Sequence, residues 1–384
     1  MNWEAKPLGS CIEVFDSCRR PVTKKDRVLG PYPYYGASGI VDYVDSYIFE
    51  GLHVLVAEDG ENLRSRKLPI AYLADGRFWV NNHAHVLRAN DENDTRFLSY
   101  MIESLDLSGF ITGSTQPKLS QAALLSIPLR LPKLAEQRRI AGVLGVLDDK
   151  IESNCAQQRI GEQLLRAVIE GILGQFSEAD FISFDAYCTQ SKESVRPENI
   201  GNGDKYIALE HMPRGSVFLN SWETAKLAGI ASNKTRFRHG DLLFGKLRPY
   251  FKKVGVAPVS GVCSTDILVI RPRLPEFLPF IAVIASSDAL IDSISASATG
   301  TRMPRASWKE IATWPVPQIP DETLTVLLHP ANQLMAFLET LSLQNLKLAQ
   351  LRDALLPELM SGRMRVDEAG CLVSEALDEE VADV

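Results

Sequence analysis

The chain has 384 residues, of which 45% are hydrophobic, 23% charged and 8% aromatic, and it carries a net charge of -7. At about 100–200 residues per domain, that length predicts two or three domains with cores of their own, and the composition excludes wholesale disorder or a fibrous repeat. The longest apolar run, Phe277 to Ala285, is broken by Pro279 and falls short of the roughly 20 residues a membrane span needs.

A soluble protein with no membrane partner is therefore expected. The start, Met1-Asn2-Trp3-Glu4-Ala5-Lys6, lacks a secretory pattern. Cys11, Cys18, Cys155, Cys188, Cys263 and Cys371 form no C-x-x-C pair. That argues against a zinc site or disulfide scaffold and predicts a reducing, cytoplasmic setting.

Along the chain, Tyr32 to Asp59 shows short apolar and aromatic runs broken by Gly36, Gly39 and Gly51, which predicts strands and tight turns. Pro128 and Pro132 favour an extended connection. From Glu136, the residues Ile140, Leu144, Leu147 and Ile151 recur at helical steps. Leu165, Val168 and Ile172 resume that stripe, and Asn154 and Gln158 make its middle polar. Asp241–Phe244 and Val262–Arg271 again read as strands, followed by Pro315, Pro317 and Pro320. Leu334, Leu338, Leu341, Leu348, Leu351 and Leu355 then hold heptad spacing, the mark of a coiled-coil seam. Pro330 predicts a kink in this second helix or its true start. A helix of ~40 residues spans ~60 Å. Residues 367–384 hold seven acids and no Lys or Arg, which predicts a flexible, solvated tail.

The chain also repeats itself. Gly113-Ser-Thr-Gln-Pro117-Lys118-Leu-Ser120 matches Gly300-Thr-Arg-Met-Pro304-Arg305-Ala-Ser307, and each copy precedes a proline-punctuated run and a long helical pattern. Val80-Asn81-Asn82-His83 lies where Cys263-Ser264-Thr265-Asp266 lies. The expected fold is α+β: two tandem strand-rich globular domains separated by two long helices that pair as an antiparallel coiled coil, with pseudo-two-fold character. The expected boundaries are 1–134, the helix 135–176, 177–320, the helix 321–364 and the acidic tail 365–384.

Most chemical motifs fail on inspection. Gly240 to Lys246 nearly spells a phosphate loop, but Leu247 stands where a hydroxyl is needed, and the interior reads as a strand. His83 and His85 lack an evident third metal ligand, so no metal is expected and His83 is read as a polar contact residue. No nucleophile elbow or paired-carboxylate signature occurs, so no catalytic residue and no cofactor is expected.

Charge is distributed unevenly. Residues 181–320 are net +5 and 321–384 net -8. Lys246, Arg248, Lys252 and Lys253 crowd one segment around Tyr250, and Arg19, Arg20, Lys24 and Lys25 precede Tyr34. Cations interleaved with aromatics suit a polyanion, the cations neutralising phosphates and the rings stacking or wedging. The repeated loop exposes Ser114, Thr115, Gln116 and Lys118 in one copy and Thr301, Arg302 and Arg305 in the other. Gln can bond adenine and Arg or Lys guanine at about 1–3 kcal/mol of discrimination. Asn82 and His83 complete the candidate contacts.

Pro33-Tyr-Tyr-Gly-Ala-Ser-Gly-Ile-Val-Asp-Tyr-Val-Asp45, Val56-Ala-Glu-Asp-Gly60, Gly113 to Leu119, Leu134-Ala-Glu-Gln-Arg-Arg-Ile140 and Leu355-Leu-Pro-Glu-Leu-Met-Ser-Gly362 resemble motifs of the DNA-specificity (S) subunits of type I restriction-modification systems. The resemblance covers residues 3–366. It implies two target-recognition domains that each read half of a split, asymmetric site in double-stranded DNA, with the helices as a ruler. It also implies a non-catalytic scaffold for two methyltransferase (M) subunits and for restriction/translocase (R) subunits. The second helix departs from the pattern, starting at Asp321-Glu322-Thr323 rather than Glu-Gln-Arg-Arg. The residues alone leave two alternatives open: an autonomous DNA-modifying enzyme using Glu58, Asp59 and His83, and a protein-binding scaffold of tandem domains.

Overall fold

The computed structural model describes residues 3–176, 178–297 and 304–382. In chain order it contains β1 (Glu4–Pro7), β2 (Ile12–Val14), β3 (Tyr32–Gly36), β4 (Gly39–Val44), β5 (Phe49–Glu50), β6 (His53–Ala57), α1 (Asn62–Ser65), β7 (Ala71–Ala74), β8 (Arg77–Val80), β9 (Ala84–Ala89), α2 (Thr95–Ser104), α3 (Gln121–Ser126), β10 (Pro128–Leu131) and α4 (Leu134–Gln175). There follow β11 (Phe181–Ser183), β12 (Cys188–Ser191), β13 (Ser194–Val195), β14 (Lys205–Ile207), β15 (Glu223–Thr224), β16 (Lys234–Phe237), β17 (Leu242–Gly245), β18 (Val254–Val256), β19 (Gly261–Cys263), β20 (Ile267–Pro272), α5 (Leu278–Ala285), α6 (Asp288–Ser297), α7 (Trp308–Ala312), β21 (Pro315–Pro317), α8 (Asp321–Met360) and α9 (Val366–Ala382). Packing divides the chain into a first unit, Met1–Asp149 with Ala349–Val384, and a second, Lys150–Leu348.

The first unit holds an antiparallel sheet of order β2-β9-β6-β7, a sheet of order β4-β3-β8-β5 whose β3 and β8 are parallel, and the antiparallel pair β1-β10. The second holds β12-β20-β17-β18, then β13-β16-β19-β14-β15 with β14 and β19 parallel, and the pair β11-β21. Strand for strand these orders and directions correspond, with β13 the one addition, so the duplication read from the sequence is a duplication of topology. The near-phosphate-loop is β17, every residue of which is buried, and that is why its interior is apolar.

The helical stripes are seams, as their periodicity predicts. In the first unit Ile140, Leu144 and Leu147 are buried, and the Arg352 guanidinium of α8 meets Asp148 of α4 at 2.8 Å. In the second, Leu165, Ile169 and Ile172 share one core with Leu324, Leu328, Met335 and Leu338. There Asn154 bonds Gln344 and Gln158 bonds Ser342, so partner numbers fall as α4 advances and the helices run antiparallel. The helix runs through Pro330 without ending there; Val326, four residues earlier, is 73% exposed, so its unpaired carbonyl can meet water. Gln137 of the Glu-Gln-Arg-Arg motif is buried and clamps the start of α4, donating to Asn93 and Pro132 and accepting from the Asp94 amide. One repeat later that place is Leu324, an apolar alternative.

The acidic tail corrects the expectation of a flexible end. Residues 366–382 form α9, with Val366, Ala369 and Val373 buried along one face and Asp367 paired to Arg139 at 2.5 Å. Spacings of three and four residues place those side chains on one helical stripe, and the exposed acids Asp367, Glu368, Glu375 and Asp378 occupy the others. Among the described residues no single helix is long and apolar enough to cross a membrane.

Candidate nucleic-acid interface

One backbone frame occurs in both units. In the first, the strand leaving β6 receives the repeated loop: Leu119 N–H donates to the Glu58 carbonyl at 2.8 Å and Gly60 N–H to Pro117 at 3.1 Å, and Glu58 N–H donates to His83 at 2.9 Å. In the second, Ala306 N–H donates to Lys246 at 2.9 Å, Arg248 N–H to Pro304 at 3.0 Å, and Lys246 N–H to Asp266 at 2.8 Å. The bridges Asp59–Lys118 and Leu247–Arg305 repeat the same register. The serine ending each motif is a helix cap. Ser120 Oγ accepts the Ala123 amide of α3, and Ser307 forms a capping box with Glu310 of α7. The motif thus pins an exposed loop between a strand extension and a helix start.

The side chains on that frame differ between the units. In the first, Lys118 lies 3.2 Å from Glu58, and His83 Nδ1 lies 2.8 Å from Asp59. Asn82, His83, Ser114, Thr115, Gln116 and Lys118 are all exposed, and Arg64, which the sequence reading missed, holds the loop by donating to the Gly113 and Ser114 carbonyls. Beneath the loop His85 is buried, with Nδ1 2.6 Å from the Asp16 carboxylate and Nε2 2.9 Å from the Leu119 carbonyl. Burial raises the pKa of the Asp16 carboxyl, but the His85 contact, the Val86 amide and Arg19 together outweigh it and hold it below its ordinary value. Asp16, Glu58 and His85 place possible metal-ligand atoms within 4.8 Å of one another, and the cation they face is Arg19, 2.6 Å from Glu58 and 3.4 Å from Asp16.

In the second unit the equivalent of Glu58 is Lys246, whose ammonium donates to the Thr265 carbonyl at 2.6 Å. Burial, and then the neighbouring Arg305, hold it below the usual lysine value. Arg305 lies 2.6 Å from Asp266, which stands where His83 stands in the first unit. Lys252 pairs with Asp288, and Lys253 donates to the Leu209 carbonyl. Tyr250 is half exposed and meets Phe251 edge-on at 4.8 Å. Arg214, also missed, lies 4.2 Å from the Phe251 ring centroid, with Arg248 at 6.0 Å on the same ring.

Several predicted contacts are placed differently. Tyr34 is only 1% exposed, with its hydroxyl bonded to the Val22 amide and Arg27 over its ring; the alternation of β3 turns it inward, so it is no surface wedge. Arg19 is 14% exposed and locked by Glu58, Asp16 and the Ala84 carbonyl, a structural cation rather than a free phosphate contact. Arg20, Lys24 and Lys25 are exposed, but no bond or ion pair among the described residues joins Lys24 or Lys25 to the loop frame. Thr301 and Arg302 lie outside the described residues. Arg64 and Arg214 left no local signal, because Arg64 meets its loop 49 and 50 residues away along the chain.

Residues 1–160 match the family described as the type I restriction modification DNA specificity domain. A putative type I restriction enzyme specificity subunit, S.HindORF215P of Haemophilus influenzae, is 38% identical over 145 residues, which is 38% of this chain and 37% of that relative. The EcoDI specificity subunit of Escherichia coli is 23% identical across 90% of this chain and 84% of its own length. The S subunit of a type I restriction-modification system from M. genitalium shares the fold, with a TM-score of 0.59 at 16% identity, covering 94% of this chain and 96% of that one. Residues 1–160 thus carry a type I restriction modification DNA specificity domain, its topology is repeated in the second unit, and the chain is similar to type I specificity subunits along most of its length.

Proposed function

We propose that the chain chooses the DNA site for a type I restriction-modification complex, with residues 1–134 and 177–320 each reading one half of a split, asymmetric sequence. The observation that carries this reading is the loop frame that occurs twice with different side chains. Glu58, Gly60, His83 and Lys118 in one unit answer to Lys246, Arg248, Asp266 and Arg305 in the other. A common backbone explains a common ligand class, and unlike side chains predict unlike half-sites, since base edges are told apart by donor and acceptor pattern. On this reading two methyltransferase subunits and the restriction subunits assemble on the chain in the cytoplasm and supply the chemistry.

The test is the methylation map of cells carrying this gene with its partner genes. A two-part motif that disappears when this gene alone is deleted supports the reading, and a motif that persists refutes it. Binding of the complex to duplex DNA should also fall steeply with salt, because phosphate contacts release counterions.

A further inference from the structure

We propose that Arg248, steadied on the Phe251 ring beside Arg214, is the residue through which the second unit reads a guanine. This rests on the reading of the chain as a DNA-specificity subunit and deepens it.

Three observations single Arg248 out. The other cations of its segment are engaged: Lys246 with the Thr265 carbonyl, Lys252 with Asp288, Lys253 with the Leu209 carbonyl and Arg305 with Asp266. Arg248 is exposed, and among the described residues its guanidinium has a ring neighbour but no hydrogen-bond acceptor. Its backbone is also left-handed, at φ 50°, in the frame position where the first unit has Gly60 at φ 109°. A glycine takes that conformation freely and an arginine does not, so the fold accepts strain to carry a side chain there. Arg248 N–H donates to Pro304 at 3.0 Å, which ties this side chain to the recognition loop.

A guanidinium offers two parallel donors that match guanine O6 and N7, whereas a lysine offers a point charge. The same fork can bind a phosphate, but loss of a phosphate contact weakens all sequences alike, whereas loss of a base contact is confined to one base pair. The Phe251 ring, whose centroid lies 6.0 Å from the guanidinium carbon, and a fixed backbone limit how far Arg248 can swing, as a base reader requires.

The full chain, co-expressed with its methyltransferase partner, is compared with its Arg248→Lys and Arg248→Gly forms by sequencing methylated adenines and by binding duplexes altered one base pair at a time. The expected result is a loss of about tenfold to a hundredfold in discrimination at one G·C pair of one half-site in both variants, with the other half-site intact. Arg248→Gly restores the residue the first unit uses and should melt no lower than wild type; Arg248→Lys keeps the charge and serves if the glycine form folds poorly. A motif unchanged in Arg248→Lys, or a wild-type half-site without any G·C pair that responds, overturns the assignment. A wild-type complex that binds no specific sequence would instead overturn the reading on which it rests.

Discussion

Arg305 lies 2.6 Å from Asp266 on the backbone frame that, in the first unit, sets Lys118 3.2 Å from Glu58. The cation keeps its place on the loop, while its acid moves from the strand after β6 to the turn before β20. Where Glu58 stood there is now Lys246, so the second unit's frame is more positive than the first's. The more exposed Arg305–Asp266 pair contributes little stability, about 0–1 kcal/mol, and its larger effect is on the field a ligand meets.

Replacing Asp266 with Asn should therefore leave melting almost unchanged and release Arg305 from its counter-charge. Affinity for duplex DNA of any sequence should rise several-fold at low salt, with the gain shrinking as salt is raised. A gel-shift titration on two unrelated duplexes at two salt concentrations reads this directly. An unchanged affinity at low salt would mean that the loop does not face the duplex.

Arg19 makes a different kind of pair. With both partners mostly buried, Arg19→Ala leaves Glu58 and Asp16 facing each other without their cation, and the expected cost is about 3 kcal/mol, measured by denaturant unfolding. The same network sets an acid limit. The Asp16 carboxyl is held below its ordinary 3.8, so the folded state is favoured above that value and loses this contribution as pH falls through the depressed one. Asp16→Asn should flatten the acid limb of the stability curve below about pH 4 while lowering stability at neutral pH.

These networks also mark where sequence reading stops. The duplication, the seams of α4 and α8 and the strand nature of β17 were legible because periodicity and repetition are local signals. Tyr34 and Arg19 were not, because adjacency to basic residues does not reveal which face of β3 is inside or which acid waits across the fold. Arg305 and Asp266 are 39 residues apart, and only the docked loop brings them together. The tail was misread because its acid density outweighed the spacing of Val366, Ala369 and Val373.

Removing residues 363–384 should consequently be costly. A solvated tail would be lost without effect, whereas α9 covers apolar surface in the first unit and pairs with Arg139. Two buried valines at about 1.5–3 kcal/mol each and one alanine at about 0.8 kcal/mol correspond to an upper bound of roughly 7 kcal/mol. Thermal melting of the truncated chain should fall by several degrees, and an unchanged midpoint would contradict the packing of α9.

Gly161 sits where a side chain would run into Leu338, which is fully buried in the second unit's helix pair. Alanine is the better helix former by about 1 kcal/mol, and overpacking costs about 1–3 kcal/mol. Because Leu338 has no solvent to move into, the clash should win. Gly161→Ala is expected to destabilise by about 1 kcal/mol and Gly161→Leu by more, read from urea unfolding.

A polar layer interrupts the same seam. Asn154, Ser342, Gln344 and Asn345 are buried, Asn154 Nδ2 reaches Gln344 Oε1 at a long 3.4 Å, and among the described residues the side-chain oxygens of Asn154 and Asn345 have no partner. A buried acceptor without a donor costs about 1–3 kcal/mol, so replacing Asn154 and Gln344 together with leucine should raise the midpoint of unfolding. Polar residues inside a helix pair can persist because they fix register, since a slipped pairing would bury them against apolar neighbours. The adjacent contact supplies a reporter: Asn345 Nδ2 lies 3.3 Å from Cys155 Sγ, so Asn345→Cys places two thiols opposite each other. Oxidation should cross-link that variant quickly when the polar layer is intact and more slowly when both leucines are present. Faster unfolding in the leucine form would show that the layer stabilises the pair, and unaltered cross-linking would show that register is set elsewhere along the seam.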